Sequence, residues 1–171
     1  MKEERDSQRS KLYKAERVLE PMSSRLETVQ EMDTFIRKVL QKAPIQARYA
    51  SEARRSIEVG DGRGRSRTAG GDRDGIAVPR AGRTQWIVLH EVAHTLTMRR
   101  YGTHIAAHGW QYAAVYLDLI RFGMGAEAHR TLKESFKAHK VRWTPKRSRP
   151  ASPETLERLR LMREARKGVT P

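Results

Sequence analysis

Residues 84 to 102 read TQWIVLHEVAHTLTMRRYG, and the interpretation of the chain begins with this stretch. It opens with a threonine, a residue type that favours helix N-termini, and closes with a glycine, which commonly ends helices. Between them, four apolar residues recur at helical spacing and form one face: Leu89, Val92, Ala93 and Leu96. The stretch therefore predicts a helix that is capped at Thr84, ends at Gly102 and buries one side.

Two histidines within this helix stand four residues apart, at His90 and His94. That spacing places both imidazoles on one helix face, one turn apart, where their nitrogens can bind a single zinc ion. Glu91 follows the first histidine, so its carboxylate can reach a water on the ion rather than the ion itself. Zinc lowers the pKa of such a water, and Glu91 would take its proton as a general base.

A catalytic zinc site needs a third protein ligand and an open coordination position. The chain has no cysteine, so the ligand must be an imidazole or a carboxylate. His104, His108 and Asp118 are the candidates. The metzincin pattern is excluded, because Arg100 stands where its third histidine would be and Thr97 where its glycine would be.

Apolar spacing also predicts helices on both sides of this stretch, at residues 6 or 7 to 19, 23 or 24 to a stop at Pro44, 110–122 and 126–139. The glycine-rich segment between them breaks into short pieces that favour strands at 56–59 and 76–78, with a third at 65–69. The expected fold is α+β, with N-terminal helices, a short three-stranded sheet, the helix that bears the two histidines and further helices after it.

Composition limits the class of protein. The 171 residues fit one domain, and 35 Lys+Arg against 20 Asp+Glu give a net charge of +15. A polyanionic partner, nucleic acid above all, would suit that charge. The N-terminus has no secretory pattern and no apolar run reaches membrane-spanning length, so we expect a cytoplasmic protein with no membrane partner.

The composition changes after Val141, which divides the chain into a domain at 1–141 and a basic linker with a C-terminal helix at 142–171. That helix is expected to open at Ser152-Pro153-Glu154 and to end near Gly168. The linker is proline-broken and carries an aromatic residue among cations, a pattern that suits a nucleic-acid-binding arm: Arg142, Trp143, Lys146, Arg147 and Arg149. The alternative is a solvated basic tail.

The segment from His90 to His94, followed by a basic turn and by His108-Gly109-x-x-Tyr112, resembles the SprT-like zinc metallopeptidases. More narrowly, the chain is similar to a group of small metallohydrolases of actinobacteria and their phages. Further resembling segments are Arg5-Asp6-x-Gln8-Arg9, Tyr13-x-Ala15-Glu16 and Ile76-Ala77-Val78-Pro79-Arg80, and the tail after Arg142 is not covered.

The resemblance implies a zincin-like domain in which His90, His94 and His108 bind Zn²⁺ and Glu91 is the general base. Tyr112 would be a packing residue. The implied activity is peptide-bond hydrolysis, and some relatives act on DNA-associated proteins. Two alternatives stay open: a hydrolase of non-peptide amides, and a nucleic-acid-binding or adaptor protein with a structural or inactive metal site.

Two details of catalysis are expected on general grounds. Peptidases of this shape hold the substrate as an added strand along a sheet edge, which here would be the strand at 76–78. The residue that stabilises the oxyanion is open among Tyr101, Arg83, Tyr116 and a backbone amide.

Overall fold

The structure, a computed structural model, describes residues 6–63 and 69–146, together with Glu154, Glu157, Arg158, Arg160 and Leu161. The α+β fold is confirmed. The helices are α1 (Arg9–Glu16), α2 (Val29–Leu40), α3 (Ala43–Arg48), α4 (Ala50–Arg54), α5 (Gln85–Tyr101), α6 (Trp110–Gly123) and α7 (Ala126–Ala138), and the strands are β1 (Glu58–Gly60), β2 (Gly70–Gly71) and β3 (Gly75–Ala77).

The central helix α5 is confirmed, with Thr84 before its first residue and Gly102 after its last. Gly102 has φ +80°, a left-handed conformation that glycine adopts without steric cost. Thr84 has the extended backbone of a capping residue, but its hydroxyl makes no capping hydrogen bond. The predicted boundaries are therefore right, although the proposed threonine cap is not formed by the side chain.

The two predicted N-terminal helices both differ from their expected form. The first consists of α1 followed by a 3₁₀ segment, Arg17–Met22, that includes Pro21. The second begins at Val29 rather than after Ser23. Its N-terminus is capped by the Thr28 side chain, which accepts a hydrogen bond from the Glu31 amide. Residues 23–28 are not helical, and Arg25 among them forms a β-bridge with Thr84.

Pro44 does not act only as a stop signal. α2 ends at Leu40, and Pro44 lies in the first turn of α3, where the missing N–H of proline leaves no helical hydrogen bond unmade. α4 follows after Tyr49, so residues 43–48 and 50–54 are helical where no helix was expected.

The three-stranded sheet has the order β1-β3-β2, with β1 parallel and β2 antiparallel to β3. The expectation that the strand at 76–78 offers a free edge is wrong, because β3 is the central strand. The third strand is β2, which lies just after the predicted range of 65–69; residues 64–68 of that region are outside the described residues.

The edge strand β2 lies directly against α5. A Cβ built on Gly71 would stand 2.6 Å from the carbonyl oxygen of Glu91, whereas one built on Gly70 would meet nothing within 4 Å. Only a residue without a side chain allows this approach at position 71. The glycine thus sets the distance between the sheet edge and the helix that bears the two histidines.

The remaining helices surround α5 and bring the N-terminus to it. α6 packs on α5, α7 packs on α6, and α1 packs on α7. The Ser135 hydroxyl of α7 donates a 2.8 Å hydrogen bond to the Ala15 carbonyl of α1. Apolar residues of α1 and α7, among them Leu12 and Phe136, belong to the same buried core as Leu89 and Val92 of α5.

The segment after α7 stays attached to the domain as far as it is described. Val141 is buried, and the half-buried Trp143 ring lies 6.2 Å from that of Phe136. The Gln8 side chain donates to the Arg142 carbonyl and accepts from the Arg142 amide. Arg142 and Lys146 are exposed, while Arg147 and Arg149 of the predicted arm lie outside the described residues.

The predicted C-terminal helix is described at only a few positions. Glu154, Glu157, Arg158, Arg160 and Leu161 are helical, and the positions predicted to open and close this helix are outside the described residues. Within the part of the chain that is described, no helix has both the length and the apolar character needed to cross a membrane.

Replacing Gly71 by alanine should destabilise the domain by about 1–3 kcal/mol relative to the same change at Gly70, because only the first forces β2 away from α5. Urea unfolding of the two variants measures the difference, and the Gly70 variant controls for the loss of backbone freedom in the unfolded chain. Equal midpoints and slopes for the two variants would contradict the close approach.

Candidate metal centre

His90 and His94 project from the same side of α5 with their ring nitrogens facing each other. Their Nε2 atoms are 3.3 Å apart, and His90 is buried. Two nitrogens bound to one tetrahedral zinc ion at 2.0–2.1 Å stand about 3.3 Å apart. The pair therefore already has the spacing that a shared zinc ion requires.

His108 reaches the same point from the loop between α5 and α6. It directly precedes Gly109, the residue at the start of α6, and is buried. Its Nε2 is buried and has no hydrogen-bond partner. One nitrogen from each of His90, His94 and His108 lies within 4.8 Å of the other two, and within the described ranges this is the only such group of three with the side chains to hold a metal ion.

The other candidates for the third ligand lie elsewhere. His104 is exposed on the loop and does not join the histidine group. Asp118 is bonded to the Arg48 guanidinium at 2.6 Å and to the Tyr49 hydroxyl at 2.6 Å. Of the three residues left open by the sequence, the structure brings only His108 to His90 and His94.

His90 and His108 are each held by a carboxylate that contacts the second ring nitrogen. Glu16 Oε2 lies 2.7 Å from Nδ1 of His90, and Asp6 Oδ2 lies 2.7 Å from Nδ1 of His108. A proton on Nδ1 donates to the carboxylate and leaves the lone pair on Nε2, the atom that faces the centre. The carboxylates thus fix both the ring orientation and the tautomer that metal binding needs.

Sequence reasoning missed both of these roles. Both residues occur within resembling segments, and Asp6 stands at the predicted start of the first helix, but neither pattern assigns them a partner. A signal was present for Glu16, since it shares a helix face with Leu12 and Leu19, and all three are buried. A carboxylate on the apolar face of a helix requires a buried partner, but the sequence does not tell which residue supplies it.

The electrostatics differ among the three histidines. Burial acts to lower the pKa of His90, but the hydrogen bond to Glu16 and the negative charges of Glu16 and Glu91 together outweigh burial, so the pKa is raised. Burial, with the neighbouring His90 and His108, holds the pKa of His94 well below its usual range. Burial also lowers the pKa of His108 against the opposing effect of Asp6. His94 and His108 are therefore neutral at pH 7, as ligands must be.

Glu91 lies beside the histidine group but is not part of it. Burial raises the pKa of Glu91, and the positive charge of a protonated His90 opposes the shift. The backbone N–H of Gly71 in β2 also acts to lower the pKa of the Glu91 carboxyl. A carboxylate with a raised pKa binds a proton more readily at neutral pH, which suits a group that accepts and returns one.

Aromatic residues of α6 support the centre from behind. The Tyr112 ring lies 4.4 Å from that of His94, and its hydroxyl donates to the His90 carbonyl at 3.2 Å. The Tyr116 hydroxyl donates to the Trp86 carbonyl at 3.3 Å. Both tyrosines are fully buried, so Tyr112 has the packing position that the resemblance implied.

A cleft of about 660 Å³ opens over the histidines. β2 and the preceding Ala69 form one wall, and the end of α5 with the following loop forms the other. Its lining includes Tyr13, Gly70, Gly71, Glu91, Met98 and Ile105. The centre is thus open to a substrate on one side and enclosed by the core on the other.

None of the three side chains expected as oxyanion donors lines this cleft. Arg83 is buried and donates to the carbonyls of Val78, Glu27 and Asp61. The Tyr101 ring lies beside that of Trp110, and Tyr116 is enclosed.

No known protein family matches the chain, and neither a curated protein nor a solved structure matches it. Function is therefore inferred from the geometry of the site.

Replacing His108 by alanine should weaken zinc binding by more than roughly 100-fold. Loss of a carboxylate that holds a ligand histidine costs up to about that much, and here a ligand atom itself is removed. Replacing the exposed His104 by alanine should leave zinc binding unchanged. Competition with a chromophoric chelator measures both affinities. Equal affinities for the two variants would exclude His108 as a ligand.

Replacing Glu16 by glutamine should lower zinc affinity about 10- to 100-fold, since the amide keeps an acceptor oxygen but loses the charge that favours the His90 tautomer. The matched control is Glu20→Gln, at an exposed residue of the following 3₁₀ segment. The zinc affinities of both variants are measured by competition with a chromophoric chelator, and circular dichroism verifies the fold. An unchanged affinity in the Glu16 variant would show that this carboxylate does not tune the ligand.

Proposed function

We propose that the chain is a zinc-dependent metallohydrolase, and specifically a peptidase, with His90, His94 and His108 as ligands and Glu91 as the general base. The observation that carries the proposal is the position of Glu91. Its carboxylate is buried in the cleft wall beside the three histidines but outside their ligand group. A purely structural metal site has no use for a carboxylate in that position.

A zinc ion bound by the three histidines would lower the pKa of a water and polarise a carbonyl oxygen. Glu16 and Asp6 keep the lone pairs of His90 and His108 directed at the centre. Glu91 accepts the proton of the attacking water and returns it to the nitrogen that leaves. The Gly71 amide favours the ionised form of Glu91, which is the form that accepts the proton.

We also propose that the domain is zincin-like and that a peptide substrate lies along β2. Two features support this: β2 is the edge strand, and both of its residues line the cleft beside α5. An extended peptide adds to such an edge through backbone hydrogen bonds, which favours a peptide over other amides.

Proteins bound to nucleic acid are the proposed natural substrates. The net charge of +15 supports this, together with exposed cations on α1 and after α7: Lys11, Lys14, Arg142 and Lys146. Trp143 is packed against Phe136, so phosphate contacts rather than base stacking would supply the binding.

Replacing Glu91 by glutamine should retain zinc but reduce the rate of casein hydrolysis at least about 100-fold, because the proton acceptor is lost while the ligands stay. Zinc content is measured by atomic absorption and hydrolysis with fluorescein-labelled casein. The control is Glu134→Gln, an exposed residue of α7, which should keep full activity.

Two results would contradict the proposal. A wild-type protein that binds no zinc removes its basis. A Glu91 variant that hydrolyses casein as fast as the wild type excludes Glu91 as the base.

A further inference from the structure

Hydrolysis places negative charge on the carbonyl oxygen of the substrate, and a hydrogen-bond donor aimed at that oxygen accelerates the reaction. None of the three side chains favoured by the sequence lines the cleft, as described above. This inference concerns which other side chain can donate a hydrogen bond to that carbonyl oxygen, and it rests on the proposed function.

Tyr13 of α1 lies at the histidine centre and also faces the cleft. Its ring lies 5.6 Å from that of His90 and 5.0 Å from that of His108, in an edge-on contact with the latter. It lines the cleft together with Glu91 and is 37% exposed. Among the described residues only Leu161 is another exposed large hydrophobic side chain, so solvent exposure of Tyr13 is unusual for this domain.

Tyr112 and Tyr116 also lie close to the centre, but their hydroxyls are already used. Both side chains are fully buried and donate to backbone carbonyls within the core. Tyr13 is the tyrosine that combines contact with two of the histidines and access to the cleft.

Arg9 places a positive charge beside Tyr13. Its guanidinium lies 5.4 Å from the centroid of the Tyr13 ring. A guanidinium only donates hydrogen bonds and stays charged, so it does not compete for the phenol proton. A cation at this distance favours negative charge on an oxygen that accepts from the phenol.

We propose that Tyr13 donates a hydrogen bond to the carbonyl oxygen of the scissile peptide bond, with Arg9 stabilising the charge that develops there. The water oxygen bonds to the carbonyl carbon while its proton passes to Glu91. The C–N bond then breaks as that proton moves to the nitrogen. Tyr13 keeps its own proton throughout and is needed only while the oxygen is negative.

The test compares Tyr13→Phe with Tyr101→Phe, each loaded with one zinc ion per chain. The control makes the same chemical change at a tyrosine that packs beside Trp110 outside the cleft. The phenylalanine ring of the Tyr13 variant keeps the packing on His90 and His108, so zinc affinity should be unchanged. For casein, kcat should fall about 100- to 1,000-fold with KM nearly constant, since the lost bond forms only in the transition state.

A second measurement does not depend on turnover. A phosphinic peptide carries a tetrahedral anionic centre in place of the carbonyl, and calorimetry gives its affinity. Tyr13→Phe should weaken its binding roughly 10-fold or more, and Tyr101→Phe should not.

Unchanged kcat and unchanged phosphinic peptide binding in the Tyr13 variant would overturn this inference and leave the proposed function intact. A zinc-loaded wild type that neither cleaves casein nor binds the phosphinic peptide would overturn both. Reduced zinc affinity in the Tyr13 variant would assign the hydroxyl to support of the ligands and would also overturn the inference.

Discussion

The hydrogen bond between Glu16 and His90 is the interaction on which the candidate metal centre depends. It joins α1 to α5 inside the core, with both side chains less than a tenth exposed. A buried carboxylate is costly unless a donor satisfies it, and a metal-binding histidine needs its second nitrogen held. One contact meets both requirements. It also positions α1 so that Asp6 reaches His108 and Tyr13 lies against both rings.

The sheet contributes to the centre through a single close approach. Because position 71 carries no side chain, β2 contacts the α5 backbone at Glu91, and the Gly71 amide favours the ionised Glu91 carboxylate. The residue proposed as the base is thereby held from the sheet side, while the histidines are held from the helical side. The two supports are independent, so the ligands and the base are positioned by different parts of the fold.

The parts of this arrangement that the sequence predicts are those with a local pattern. Helical spacing was enough for α5 and for placing His90 and His94 on one face. His108 needed the resemblance, because a loop residue has no periodicity. The partners of Glu16 and Asp6 were out of reach, since they lie 74 and 102 residues away. The third strand was predicted at the wrong residues because the two glycines of β2 carry no strand propensity. The role of Pro44 was misjudged because proline both ends helices and begins them.

The Gln8 side chain has a consequence for how the protein is made. It donates to the His108 carbonyl as well as bonding Arg142, so contacts across 100 and 134 residues meet at one amide group. During translation, α1 leaves the ribosome long before the residues that it contacts in the folded chain. Gln8 can form all of its hydrogen bonds only when residue 142 has left the ribosome. Until then, the nascent chain lacks the link between the His108 loop and the segment after α7.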